Sequence, residues 1–521
     1  MVGTIVGQVI TGQYAQILVR QKHGEIVELG ELLVVDRDNG YIILECYDLR
    51  YGSQIPPSSL ELMSGIKLEQ ASPTLTIMDP EIRNYVMVYV KSLANVNIVK
   101  KNGKTVKEVK LPKDLPSFFS DMRRIEPADL DFLQAPANTL YLGHVRSGSR
   151  VLPVEVKLHA QEVFRHHMLI PATTGRGKSN LVKVFSFKNL DNTSVGILFI
   201  DPHDEYFGGK AVGLSNHPKA LVHLKYYTPR TTPPPGSITL VINTRDLRPW
   251  HLGVFPWSNA QVDGLYSFYH ANPGAWVEDI VMGHSAPNVV ASTAGVLQRK
   301  FRNYLGLEWD SAAGTIKCHG IFNTGAGLTT ISDIVQQLEA GNKVIVDTSS
   351  IGDEMELIVS SMIMQRVFED YKDAKAQGTL DTKPAIAVLL EEAPRVIGKN
   401  AGHDDSIFGK IAREGRKFKI GLIAITQIPS EIPREVLANL NTKVILGIET
   451  KPERQAVIDS AAQDLSTDDR TIGSLDVGEA LVSSHFTKFA VPIGIPLFDD
   501  VVNSATASSS TGSKRVVLPD G

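Results

Sequence analysis

The chain has 521 residues, of which 43% are hydrophobic and 21% charged, and its formal net charge is −4. That length predicts more than one domain, and the composition is that of a globular protein able to build sizeable cores. The slightly acidic balance excludes a protein that coats nucleic acid with a uniformly basic surface, though it leaves room for a narrow basic channel.

At the N-terminus, residues 1–8 lack the basic region and long apolar stretch of a secretion signal. No apolar run reaches the ~20 residues of a membrane span. Cys46 and Cys318 are too far apart in the chain to suggest a disulfide framework or a zinc site. A reducing cytoplasm, with no membrane partner, is the expected setting. Residues 3–10, 15–20, 32–36 and 41–46 are β-branched segments punctuated by Gly24 and the Asp38-Asn39-Gly40 turn. Their spacing predicts a small barrel. Residues 58–137 are mixed and hold a basic stretch at 100–107, which reads as a solvated hairpin with nucleic-acid contact as the alternative. A strand pair at 139–145 and 151–156 is expected to complete the barrel, closing a first domain at 1–155.

From about residue 156 the pattern changes to strands alternating with helices, which predicts an α/β domain with a mostly parallel sheet to residue 500. Residues 194–201 form an unbroken apolar strand of the kind buried on both faces, ending in Asp201-Pro-His203-Asp204-Glu205-Tyr206. A Pro-rich loop at 231–236 and a strand at 238–243 follow. Residues 250–340 read as a helical insertion, with helices at 258–270, 289–305 and 331–340, the last stopped by Gly341. The sheet resumes with strands at 343–349, 385–390, 421–427 and 443–447, separated by helices at 355–374, 406–418 and 434–440. Two late β segments, at 479–482 and 488–493, precede a Ser/Thr-rich tail. The tail, 501–521, is expected to be flexible or ordered only against a partner.

The α/β region opens on His167-Met-Leu-Ile-Pro-Ala-Thr-Thr-Gly-Arg-Gly-Lys-Ser179, a short apolar strand, a Gly-containing turn and the start of a helix. This is the layout of a phosphate-binding loop. Gly175 and Gly177 let consecutive N–H groups curl around an anion, and the helix adds its positive dipole end. Lys178 is placed to reach the β- and γ-phosphates, and Ser179 to put its hydroxyl on Mg2+. The pattern lacks its first glycine, whose position is Ala172.

Three later elements supply what nucleotide hydrolysis needs. Glu391 and Glu392 follow six apolar residues, so that both carboxylates can turn toward one site beyond the strand's end. Gln427 closes the next apolar strand, where an amide can orient water or contact phosphate; a plain strand cap is the alternative. The helix ending Ile411-Ala-Arg413-Glu-Gly-Arg416-Lys417 offers cations for the transition state. Arg413 and Lys417 share a face and Arg416 points elsewhere; a solvated basic helix end is the competing reading. Asp201 or Glu205, at the carboxyl end of its strand, can hold a metal-bound or lytic water, whereas His203 reads as structural.

In this order the motifs Thr174–Ser179, Asp201–Tyr206, Leu390-Glu-Glu-Ala-Pro394, Ile411–Lys417, Ala424-Ile-Thr-Gln427 and Gly478-Glu-Ala-Leu resemble the HerA group of the HerA–FtsK superfamily, archaeal hexameric DNA translocases. Ala172, Asp204 in place of Gly and Pro394 in place of His depart from the pattern without removing a group with an assigned role. The resemblance covers most of the chain. It implies a RecA-like P-loop ATPase core, an N-terminal HAS-like β-barrel and a helical insertion. It also implies a homo-hexameric ring with duplex DNA through the central channel and ATP with Mg2+ at subunit interfaces. A NurA-type nuclease is the implied partner in resecting DNA ends for recombination at double-strand breaks, with the break-processing nuclease/ATPase complex a further one. The implied nucleotide contacts are Thr174, Gly175, Arg176, Gly177, Lys178, Ser179 and Asn180. Ser179, Glu391 and Asp201 fall on the metal side, Glu392 is the general base and Gln427 the sensor. Arg416 or Arg413 is the finger, and Arg165 a further contact in trans. Lys210 and the 299–302 segment are candidates for the channel. The competing classes are a related ring ATPase for conjugative or packaging DNA transfer, a protein-secretion or remodelling ATPase, and a scaffold with a vestigial loop.

Overall fold

The β-branched segments at the start of the chain close on themselves in the computed structural model, which describes residues 3–14, 16–69, 83–101, 104–133, 138–209, 211–399 and 406–511. Around the barrel the order is Gln16–Gln21, Ile5–Gln13, Asp121–Arg124, Leu32–Arg37, Gly40–Ser53 and Asn84–Lys101, and Gln16–Gln21 pairs back onto Asn84–Lys101. Closure leaves no unpaired edge among these strands. Val6, Val19, Leu33, Ile42, Val90 and Met122 fill the interior. The basic stretch forms the hairpin of Asn84–Lys101 with Lys104–Lys110, appended to the barrel as expected.

One expectation changes here. The strands Thr139–Ser147 and Arg150–His159 do not complete the barrel. They extend the second sheet, where His144 and Val145 pair with Gly494 and Ile493. Period-two alternation identifies a strand but not the sheet that receives it, and only the partner strand from residue 491 decides this case.

The second sheet has twelve strands among the described residues. Its parallel part runs from Ile238–Thr239 through Leu224–Thr228, Lys343–Asp347, Val195–Asp201, Ala385–Leu390, Ile420–Thr426 and Met168–Pro171 to Thr442–Ile445. Every residue of Val195–Asp201 and Ile420–Thr426 is buried, as strands covered by helices on both faces must be. The Glu479–Ser483, Val491–Gly494, Thr139–Ser147 and Arg150–His159 strands continue it antiparallel.

Two features of this order position the site. Met168–Pro171 lies between Ile420–Thr426 and Thr442–Ile445, so the strand carrying Gln427 separates the glycine-rich loop from the acidic strand Ala385–Leu390. Because these strands are parallel, the loops after all of them emerge along one edge, where the chain's path reverses and ligands of open α/β sheets bind.

The insertion carries the expected helices Asn259–Ala271, Ala291–Leu305 and Thr330–Glu339, with a further helix at Trp276–Met282. They pack around Trp276 and Phe301, whose rings lie 5.4 Å apart edge to face. It also contains a hairpin, Leu307–Asp310 with Thr315–Cys318, that a helical reading passes over. Asp310 nucleates its turn by accepting from the Ala312 and Ala313 N–H groups, and Gly314 takes φ 64°.

The tail begins as structure. Phe498–Thr511 is helical, with Phe498, Val501 and Val502 buried, and Phe498 meets Phe187 of the glycine-loop helix edge to face at 5.5 Å. Residues 512–521 lie outside the described residues.

Candidate active site

The Met168–Pro171 strand ends in a turn in which Gly175 has φ 80° and Gly177 φ 93°, values a side chain would strain. Gly177 caps the Lys178–Lys188 helix without any side-chain hydrogen bond, so the first helical N–H groups remain available to an anion. Ala172 explains its own departure from the glycine pattern. It lies outside the left-handed region, its N–H donates to the Thr426 carbonyl at 3.1 Å, and its methyl joins the core. A glycine there is not required by the backbone.

These residues line a cleft of about 810 Å³ at the carboxyl edge of the sheet, a size typical of ligand pockets. Thr174, Gly175, Gly177, Lys178, Ser179 and Asn180 line it together with Glu391, Glu392 and Gln427. The Lys178 ammonium donates to the carbonyls of Ala172 at 3.2 Å and Thr173 at 3.4 Å. Burial lowers its pKa, while Glu392 and Glu391 pull the other way. Thr174 Oγ1 donates to Gln427 Oε1 at 2.5 Å, tying the loop to the strand beside it. The acidic pair divides. Glu392 is exposed; Glu391 is half-buried, accepts from the buried Tyr206 hydroxyl, and has its pKa pushed up to about 7, first by burial.

Three of the expected side chains are engaged elsewhere. The Arg176 guanidinium donates to the Leu475 carbonyl and to Glu449 Oε1, each at 3.1 Å, and anchors the loop from outside the cleft. Asn180 spends its side-chain amide on the C-terminal segment, donating to the Pro496 carbonyl at 3.0 Å and accepting from the Phe498 N–H at 2.9 Å. Its backbone N–H is what remains for phosphate. Asn180→Ala should therefore destabilise the junction with the tail helix by about 1–3 kcal/mol, the cost of orphaning two polar groups. A thermal melt with limited proteolysis near residue 497 reads this out; an unchanged melt and cleavage pattern would refute the clamp. Asp201, placed on the metal side from sequence, is fully buried with its oxygens accepting from the Glu205 and Tyr206 N–H groups, both at 3.1 Å. It organises the loop that follows and does not line the cleft, whereas His203 and Glu205 do.

Asp204, where glycine was expected, has φ 54°. That conformation is why glycine suits the position. Here the strained aspartate is held by Arg230 at 2.6 Å and by the Tyr226 hydroxyl at 3.2 Å.

Lys178, Ser179 and the acidic pair fit ATP and Mg2+. Ser179 and Glu391 offer hard oxygen donors, and among the described residues no group of three or more His, Cys, Asp or Glu could hold a metal alone. Mg2+ takes one or two protein oxygens and the rest from phosphate and water, so this sparse donor set suits it.

Four further residues of the cleft stand in no motif of the sequence. Thr348, Asp353, Glu356 and Arg395 line it, with Arg395 paired to Glu356 at 3.3 Å and Asp353 at 3.2 Å, and Thr348 donating to Glu356 at 2.9 Å. Their signal was position, since Thr348 follows the Lys343–Asp347 strand at the same carboxyl edge.

The arginines lie at the opposite edge. Arg413 and Arg416 precede Ile420–Thr426, whose seven residues at ~3.3 Å each put about 20 Å between them and Gln427. Arg165 ends the Ala160–Arg165 helix just before the glycine-loop strand and pairs with Glu162 at 3.2 Å. A Cβ on Gly421 would overlap the Phe164 carbonyl, so glycine lets that helix pack onto the start of Ile420–Thr426. The helix thereby lies beside the Gly415–Phe418 turn, and the charges of Arg416 and Arg165 both act on His166, whose pKa is lowered first by burial. Neither they nor Arg413 line the cleft. Of the channel candidates, Arg299 and Arg302 are exposed on the insertion, Arg302 paired to Glu308 at 2.8 Å, while Lys210 lies outside the described residues.

Residues 140–270 match the family model described as the central domain of helicase HerA. The chain is 26% identical over 510 residues to the DNA double-strand break repair helicase HerA of Saccharolobus solfataricus, covering 96% of this chain and 93% of that protein. It is 24% identical over 518 residues to the protein of the same name from Sulfurisphaera tokodaii, with the same coverage of 96% and 93%. Among solved structures, the bacterial conjugative coupling protein TrwB aligns over 72% of this chain and 92% of its own at 11% identity, with a TM-score of 0.46.

Proposed function

We infer, from a chain that is a member of the HerA-like P-loop ATPases, that it hydrolyses ATP to move or unwind duplex DNA. One observation supports this reading above the others. The cleft gathers Lys178, Ser179, Glu391, Glu392 and Gln427 and its own Arg395 is paired to Glu356 and Asp353, while Arg413 and Arg416, the candidate finger residues, precede the strand whose far end meets the cleft. A single copy carries half of a site at each edge. Stacking copies in a ring, with the Arg416 edge of one against the cleft of the next, completes each site, and a homo-hexamer is the assembly we propose.

In that ring the glycine-loop N–H groups and Lys178 hold the phosphates, and Thr174 with Gln427 senses whether the γ-phosphate is there. Ser179 and Glu391 would hold Mg2+, which supplies neutralisation of phosphate charge. The exposed Glu392 takes the proton of the attacking water, and Arg416, with Arg413 and Arg165 near it, stabilises charge on the transferring phosphoryl group. Hydrolysis at successive interfaces shifts loops that grip the DNA backbone. The biological role we propose is resection of DNA ends in double-strand-break repair, together with a NurA-type nuclease.

The test is the ATPase rate with and without duplex DNA, alongside solution mass. Stimulation by DNA and a mass of six chains are expected. No stimulation by any DNA would turn the reading toward a protein-remodelling ATPase, and a monomer with full activity would remove the shared site.

A further inference from the structure

Tyr206 is a firmly held group that touches one member of the acidic pair. Its side chain is fully buried and packs against Phe199 with ring centroids 5.3 Å apart. Its N–H donates to Asp201 at 3.1 Å and its carbonyl accepts from the Leu214 N–H at 2.8 Å, so ring and backbone are both pinned. The hydroxyl of this immobile ring donates to Glu391 Oε1. A phenol buried without a partner is costly, and a carboxylate is its strongest acceptor.

The contact resolves an ambiguity in the acidic pair. Glu391 and Glu392 are adjacent beyond the end of Ala385–Leu390, where the strand no longer dictates which one faces inward. Among the described residues Glu391 has the rigid donor, and of the pair Glu392 is the exposed one. We propose that Tyr206 is a positioning residue for hydrolysis: its hydroxyl fixes Glu391 as the carboxylate on the Mg2+ side and leaves Glu392 to act on water. Asp201 serves the same end at one remove, by holding the backbone that carries Tyr206. This rests on the reading of the cleft as an ATP site.

The experiment uses the full chain as wild type, Tyr206→Phe, Glu391→Gln, the double variant, and Lys178→Ala as the control for the site itself. A fluorescent ATP analogue is titrated with Mg2+, and turnover is measured in parallel. In Tyr206→Phe, the Mg2+ needed for half-maximal tightening of analogue binding should rise about tenfold, as for loss of a partner orienting a metal ligand. Turnover should fall by about the same factor, with analogue affinity in the absence of Mg2+ unchanged. In the Glu391→Gln background, Tyr206→Phe should add nothing further. An unchanged Mg2+ midpoint, or an equal effect in both backgrounds, overturns the proposal. Glu391→Asp, which draws the carboxylate back from the phenol by one methylene, should reproduce the Mg2+ shift if Tyr206→Phe fails to fold; an unshifted midpoint there also overturns it. If Lys178→Ala binds and hydrolyses like wild type, the ATP-site reading fails and the Tyr206 assignment falls with it. If Lys178→Ala is inactive while Tyr206→Phe is normal, only the Tyr206 assignment fails.

Discussion

Arg416→Ala should reduce ATP turnover by about three orders of magnitude or more while leaving nucleotide binding and ring assembly intact, the size of effect expected of an arginine supplied in trans. The reasoning is spatial. Seven strand residues separate Arg416 from the Gln427 end of its own sheet, so it cannot reach its own Lys178 without unravelling the strand. Arg416 is exposed, and removing an exposed side chain there should leave the fold intact. The decisive measurement mixes subunits. Arg416→Ala and Lys178→Ala are each expected to be inactive alone. In the proposed ring, mixed assemblies would contain interfaces that pair an intact arginine with an intact glycine loop, so turnover should partly return. No recovery on mixing would place the arginine in cis. Unchanged turnover of Arg416→Ala alone would move the role to Arg413 or Arg165, for which the same mixing test applies.

Lys178→Ala should lower turnover by about a hundred- to a thousandfold, the usual consequence of deleting one preorganised donor to a charge that develops in the transition state. The loop keeps its shape without the ammonium. Thr173 N–H donates to the Gly447 carbonyl at 3.1 Å, Thr174 to Gln427 at 2.5 Å, and Arg176 anchors the turn from behind. The melting temperature should therefore change by no more than about 2 °C. Turnover, analogue affinity and melting measured on one preparation separate the chemical loss from a structural one. Near-normal hydrolysis would remove Lys178 from the site, and a large drop in melting temperature would show that its bonds to Ala172 and Thr173 hold the loop together.

What the amino-acid order determined on its own were features whose cause is local. Glycines at 175 and 177 announce a backbone that only glycine adopts easily, and both take positive φ. The apolar runs at 194–201, 385–390 and 421–427 have the length and composition of strands covered on both faces, and they occupy the middle of the sheet. The polar residues ending those runs, Glu391, Glu392 and Gln427, had to emerge together because parallel strands share a carboxyl edge. The tertiary structure alone decided where side chains with several options went. Arg176, Asn180 and Asp201 sit in the right motifs, yet each has a partner remote in sequence or a tight turn that claims its polar atoms. The strands at 139–159 join the sheet that offers them residues 491–494, a pairing that alternation cannot foresee. Tyr206 and Glu391 are 185 positions apart, and the distant arginines are distant only because a strand lies between them and the cleft. Periodicity and backbone demand act within a few residues. Which polar atom meets which is settled by the packing of the whole chain.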